Sequence, residues 1–118
     1  MNLLIVDDHA GVRALIREIA ADIATDVREC ASGEEAIELC QSYSPDFVTI
    51  DLRMGAMNGL TAAHLLRPLH PHACIAIVTA FDHQALRGHA LAAGVDLYLN
   101  KDDLADLRRH LITRAGRR

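Results

Sequence analysis

Three aspartates, one threonine and the chain's only lysine stand where short apolar runs stop. Asp7 and Asp8 follow residues 3–6, Asp51 follows 47–50, Thr79 follows 74–78, and Lys101 comes just after 97–99. Three carboxylates brought together repel one another, and at neutral pH they need a cation or a proton to coexist. A hard divalent ion such as Mg2+ takes oxygen ligands and keeps several waters. With that ion beside it, one carboxylate can accept a phosphoryl group in line, while lysine and hydroxyl balance the charge on the phosphoryl oxygens. A lysine ammonium is a suitable point charge for a phosphate. Each residue also has a plainer reading. Asp7 and Asp8 could cap a helix and complement its dipole. Asp51 could be a loop acid, Thr79 a turn residue and Lys101 a solvated surface charge. Their joint placement at four strand ends favours a site.

The elements that must position them are legible in the hydrophobic pattern. Apolar runs at 3–6, 47–50, 74–78 and 97–99, with a weaker one at 27–30, read as five strands. Between them lie five helical patterns. Val12, Leu15, Ile16, Ile19, Ala20 and Ile23 form one stripe, and Ser32 to Glu35 offers a capping box for a helix bearing Ala36, Ile37 and Cys40. Residues 53–59 read as a loop, 60–66 as a helix that Pro68 and Pro71 end, and 83–93 as an alanine-rich helix stopped by Gly94. Leu104, Leu107, Leu111 and Ile112 mark the last helix. Strict βα alternation with near-continuous apolar strands indicates a parallel sheet covered on both faces. The expected architecture is a doubly wound α/β fold, flavodoxin-like (βα)5, with strand order 2-1-3-4-5 in one domain over 1–118. In that order ligands bind at the C-terminal edge between strands 1 and 3, the strands that end here in aspartate.

Composition narrows the class. Half of the residues are hydrophobic and only 3% aromatic, so the core must be built from Leu, Ile, Val and Ala. No apolar run approaches the roughly 20 residues of a membrane helix, and the amino terminus lacks a signal-peptide pattern; a cytoplasmic protein with no membrane contact is expected. Cys30, Cys40 and Cys74 are odd in number and form no C-x-x-C pair, which reads as small buried residues in a reducing compartment. A net charge of −4 argues against nucleic acid contacting this domain itself. Arg108, Arg109, Arg114, Arg117 and Arg118 read as a solvated face that complements the last helix dipole.

The segments Leu4-Ile5-Val6-Asp7-Asp8-His9, Asp51-Leu52-Arg53-Met54 with Gly59-Leu60, Val78-Thr79-Ala80, and Ala93-Gly94 through Tyr98-Leu99-Asn100-Lys101 occur in order. Together they resemble the receiver domains of two-component response regulators over essentially the whole chain. The resemblance implies Asp51 as phosphoacceptor, taking phosphate from a phosphohistidine on a sensor histidine kinase. It implies Mg2+ held by Asp8, Asp51 and the backbone carbonyl of Arg53, with Asp7 acting mainly through a bound water. It further implies Thr79 and Lys101 on the phosphoryl group, Tyr98 as a switch aromatic, and a responsive face formed by helix 4, strand 5 and helix 5. Asp7-Asp8-His9-x-x-Val12-Arg13 and Lys101-Asp102 look like receivers that precede LuxR-type (NarL/FixJ-like) helix-turn-helix domains. This implies a homodimer on phosphorylation and a DNA-binding output domain outside these residues.

Some positions depart from the family pattern. Gly55 stands where many receivers have proline, which should loosen the loop after Asp51. Asp102 replaces the proline that often follows the lysine. Arg53 and Phe81 occupy positions that tune phosphate lifetime in the family. A domain that assists its own phosphorylation, rather than an enzyme acting on external substrates, is expected. The alternatives are a stand-alone phospho-dependent adaptor and an aspartyl-phosphate phosphatase; the latter would carry D-x-D-x-[TV] on the first strand, where this chain has adjacent acids. A Rossmann nucleotide site is disfavoured because no G-x-G-x-x-G follows the first strand.

Overall fold

The apolar runs form strands whose two faces are both covered by helices. The computed structural model describes residues 1–80 and 84–116. In chain order these give β1 (Asn2–Val6), α1 (Ala10–Ala20), β2 (Asp26–Cys30), α2 (Gly33–Leu39), β3 (Phe47–Ile50), α3 (Gly59–Leu69), β4 (Cys74–Thr79), α4 (Gln84–Ala92), β5 (Leu97–Asn100) and α5 (Leu104–Arg114). All strand pairs are parallel and the sheet order is β2-β1-β3-β4-β5, as expected from the sequence. Because successive side chains point to opposite faces of a sheet, β1 divides its residues between two cores. Leu4 and Val6 join Val48, Ile50, Ile75 and Ile77 beneath α2 and α3. Leu3 and Ile5 join Phe47, Ala76 and Val78 beneath α1 and α5.

Local signals mostly perform as read. The Ser32 hydroxyl caps α2 by accepting from Glu35 N–H at 3.2 Å. The Glu35 carboxylate reaches one residue further back than a standard capping box, to Ala31 N–H at 2.8 Å. Gly94 has φ +89° and ends α4 in a Schellman motif, with Val95 N–H on the Ala90 carbonyl and Gly94 N–H on the Leu91 carbonyl. The start of that helix at His83 lies outside the described residues, as does Phe81. No helix among the described residues is long and apolar enough to cross a membrane.

Three features of the helices differ from the sequence expectation. Leu15 leaves the α1 stripe and is 46% exposed, because α1 seats only Ile16 and Ala20 fully against the sheet and α5. Pro68 does not end α3. The helix continues to Leu69 and His70 N–H still reaches the Leu66 carbonyl, so proline costs this last turn only its own N–H bond. Arg109 and Arg114 are exposed and Arg114 stands in the last turn of α5, as read, but Arg108 clasps Asp22 at 2.9 and 3.0 Å and the Ile19 carbonyl at 2.8 Å, tying α5 to the end of α1. Arg109 pairs with Asp106 and Arg114 donates to the His72 carbonyl, while Arg117 and Arg118 lie outside the described residues. The cysteines are free thiols, Cys30 and Cys40 buried and Cys74 partly so. Burial pushes each thiol up to about 11.

Candidate functional site at the carboxyl edge of the sheet

Backbone pairing carries past the strand ends and brings the polar residues side by side. Asp7 N–H donates to the Cys30 carbonyl at 3.1 Å, and Asp51 N–H donates to the Val6 carbonyl at 2.9 Å. The residues after β1 and β3 therefore stay in register, with their carboxylates at one edge. Lys101 N–H donates to the Thr79 carbonyl at 2.9 Å, which does the same for β5 and β4. Beyond Lys101 no proline shapes the turn; instead the Asn100 side chain accepts Asp102 N–H at 2.8 Å, an Asx-turn.

The side chains converge. Lys101 Nζ lies 3.0 Å from Asp7 Oδ2 and 3.1 Å from Asp51 Oδ1, so one ammonium bridges two carboxylates. Asp7, Asp51 and Thr79 are buried, at 2%, 5% and 1% exposure, whereas Asp8 is exposed at the rim. The other Asp7 oxygen, Oδ1, accepts His9 N–H at 2.8 Å. His9 is the N-cap residue of α1 and makes no side-chain cap. Neither Asp7 nor Asp8 caps α1, whose N-cap is His9; Asp7 instead holds His9 N–H with one oxygen and faces Lys101 with the other.

Electrostatics follow from this crowding. Burial lifts the Asp51 carboxyl above the ordinary aspartate range, the Asp7 charge adds to that, and Asp8 adds a little more. The hydrogen bond and charge of Lys101 pull the other way without cancelling the rise. For Lys101, burial opposes the ammonium, but its bonds to Asp7 and Asp51 outweigh that and leave its pKa raised. One lysine therefore does not neutralise three acids. Ligand-capable atoms of Asp7, Asp8, His9 and Asp51 all lie within 4.8 Å of one another. This oxygen-rich donor set, with its residual repulsion, fits a hard divalent cation. His9 follows the two acids directly, so the sequence signal for it is three potential ligands in succession at a strand end.

The loop after Asp51 is anchored from below. Leu52 and Met54 are each 5% exposed, while Arg53 between them is exposed. Gly59 N–H returns to the Leu52 carbonyl at 2.9 Å, and the Asn58 side chain caps α3 through Thr61 N–H. Nothing lies within 4 Å of where a Cβ at Gly55 would stand. Tyr98 is half-buried on β5 against the α2–α4 core, with the Arg87 guanidinium 4.9 Å from its ring centre.

A parallel sheet in this order, with acids at the ends of β1 and β3 and a lysine after β5, defines the CheY-like receiver class. Residues 3–112 match the family model for the response regulator receiver domain, and the chain belongs to that family. The nitrate/nitrite response regulator protein NarL of Escherichia coli (strain K12) is 37% identical over 104 residues, which is 86% of this chain and 48% of NarL. The chain thus spans about half the length of such curated relatives. Chemotaxis protein CheY of Thermotoga maritima is 34% identical over 101 residues, 85% of this chain and 84% of that protein. A crystal structure of a response regulator from Burkholderia pseudomallei, with a phosphorylated aspartic acid, calcium ion and citrate, matches at a TM-score of 0.86 and 28% identity, covering 98% of this chain and 68% of that one. Likeness to NarL agrees with the LuxR-type subgroup read from the sequence. Receiver domains are signalling domains of two-component systems and work with histidine kinases.

Proposed function

We propose that this chain is a phosphorylation switch, one receiver domain over 1–118, whose acceptor is Asp51. The observation that carries this is the Lys101 ammonium held at 3.0 and 3.1 Å between Asp7 and Asp51, beside a cluster of further acids. An Asp51 carboxylate oxygen attacks phosphorus of a kinase phosphohistidine, the P–N bond breaks, and an acyl phosphate forms on Asp51. Lys101 is close enough to follow the new negative charge. Thr79, at the end of the neighbouring strand β4, supplies a hydroxyl to the phosphoryl oxygens. Mg2+, held by Asp8, Asp51 and the backbone carbonyl of Arg53, with Asp7 through water, would lower the repulsion between acceptor and phosphoryl donor. The relative from Burkholderia pseudomallei contains a phosphorylated aspartic acid and a calcium ion, which supports an aspartate acceptor and a divalent cation in this chain too.

Tyr98 is the switch aromatic in this reading. Its strand pairs with β4, with Ile77 opposite Tyr98 and Thr79 opposite Asn100, so a movement of Thr79 is relayed to β5. The output is a change in the face formed by α4, β5 and α5, leading to homodimerisation in a cytoplasmic regulator. By its LuxR-type subgroup likeness, a DNA-binding domain would lie outside these residues. The arginines of α5 that clasp Asp22, Asp106 and His72 support a domain that does not itself bind nucleic acid. The match to most of CheY favours a second reading, a diffusible adaptor; the genomic reading frame past Arg118 separates the two. Arg53 tunes how long the phosphate survives.

The test is intact-mass measurement after treatment with Mg2+ and acetyl phosphate. One added phosphoryl group on the wild type, absent from Asp51→Asn, is expected. No adduct, or an equal adduct on the variant, removes Asp51 from the role. An adduct that forms equally well in EDTA removes the metal.

A further inference from the structure

We propose that His9 is an additional side-chain ligand at the acidic cluster and biases it toward divalent ions that accept nitrogen, Mn2+ over Mg2+. This inference rests on reading the cluster as a cation site.

The geometry is specific. His9 Nδ1 lies 2.9 Å from Asp8 Oδ1 and 3.3 Å from Asp7 Oδ1. Its backbone N–H is bound to the same Asp7 carboxylate at 2.8 Å, which fixes the residue over the cluster. The ring is 68% exposed, so packing does not hold it there; the contacts to the two acids do. Ligand atoms around one ion bound at about 2.1–2.3 Å lie up to roughly 4.5 Å apart. Asp8, His9 and Asp51 belong to a set within 4.8 Å, so their joint ligation of one ion needs only a few tenths of an ångström of contraction. Because the His9 side chain makes no helix cap, its geometry is not explained by the start of α1.

Chemistry then decides which ion gains. Mg2+ demands near-octahedral oxygen ligation and gives up water reluctantly. Imidazole nitrogen is a softer ligand than carboxylate and adds more to a first-row transition ion, even Mn2+ at the weak end of that series, than to Mg2+. Three carboxylates alone serve Mg2+ and Mn2+ comparably, whereas a nitrogen added at the rim strengthens only the latter.

The full chain is titrated with Mn2+ and with Mg2+, free Mn2+ being followed by its electron paramagnetic resonance signal. The bound ion is examined for 14N modulation of the electron spin echo, the signature of a directly coordinated histidine. Wild type should show the modulation. His9→Ala should lose it together with roughly tenfold in Mn2+ affinity, keep Mg2+ affinity within about twofold, and melt at the wild-type temperature. Modulation that is absent from wild type or persists in His9→Ala would overturn the proposal, as would an equal loss for both ions. If Asp8→Asn and Asp51→Asn bind Mn2+ as wild type does, the ion is elsewhere and the cation reading fails as well. Loss of the nitrogen signature alone leaves that reading standing.

Discussion

Gly59, the first residue of α3, sits directly against the backbone of Asp51: a Cβ there would lie 2.3 Å from the Asp51 carbonyl oxygen. It would also stand 3.0 Å from the Asp51 carbonyl carbon and the Leu52 Cα. These are backbone atoms, so no side chain can swing aside. Gly59→Ala should therefore push α3 away from the Asp51 segment and destabilise the fold by about 2–3 kcal/mol. Urea unfolding measures this. A midpoint within error of wild type would mean that the loop yields freely.

The crowding at Asp51 makes the metal-free protein sensitive to pH. Its carboxyl keeps its proton to a higher pH in the folded state than in the unfolded chain, chiefly through burial and the Asp7 charge. Folding then binds more protons than unfolding, so this group's contribution is intact below the ordinary aspartate pKa near 4 and is lost as pH rises through the folded value. In EDTA, the melting temperature of wild type should fall relative to that of Asp51→Asn over this window, and Mg2+ should narrow the gap. Parallel melting curves would contradict the electrostatic account.

Lys101 offsets two buried acids, and removing it leaves both without the ammonium. Lys101→Ala is expected to lower metal-free stability by about 1–3 kcal/mol, discounted because the lysine side chain retains some solvent contact. In the proposed switch it should still accept phosphate but respond poorly. Size-exclusion chromatography of the phosphorylated variant checks the second part; dimerisation equal to wild type would remove Lys101 from signalling.

At the opposite end of the sheet, Arg67 spends its guanidinium on four partners. It donates to Gly94 O at 3.0 and 2.8 Å, to Pro71 O at 3.1 Å, to Ala73 O at 2.7 Å, and pairs with Asp96 at 2.6 Å. This fork joins α3 to the turn that ends α4. Arg67→Ala should cost about 2–4 kcal/mol, and Arg67→Lys should recover little because an ammonium cannot span these carbonyls. Thermal unfolding of both variants tests it; full rescue by lysine would mean that charge alone matters.

The sequence by itself determined the alternation of elements, because buried parallel strands must be continuous apolar runs and their polar stops fall on one sheet edge. It also determined that Asp7, Asp8, Asp51, Thr79 and Lys101 would fall along that one edge, since all parallel strands end on the same side. Periodicity could not tell that α1 is seated narrowly, so Leu15 belongs to the apolar stripe by spacing yet lies exposed. Nor could composition tell that Arg108 would reach Asp22, a partner 86 residues away. Only the tertiary structure decided which oxygens Lys101 engages, that Asp7 divides its two oxygens between Lys101 and His9, and that His9 turns toward the acids. Those outcomes depend on strand register and helix entry angle, which side-chain spacing along a chain does not encode.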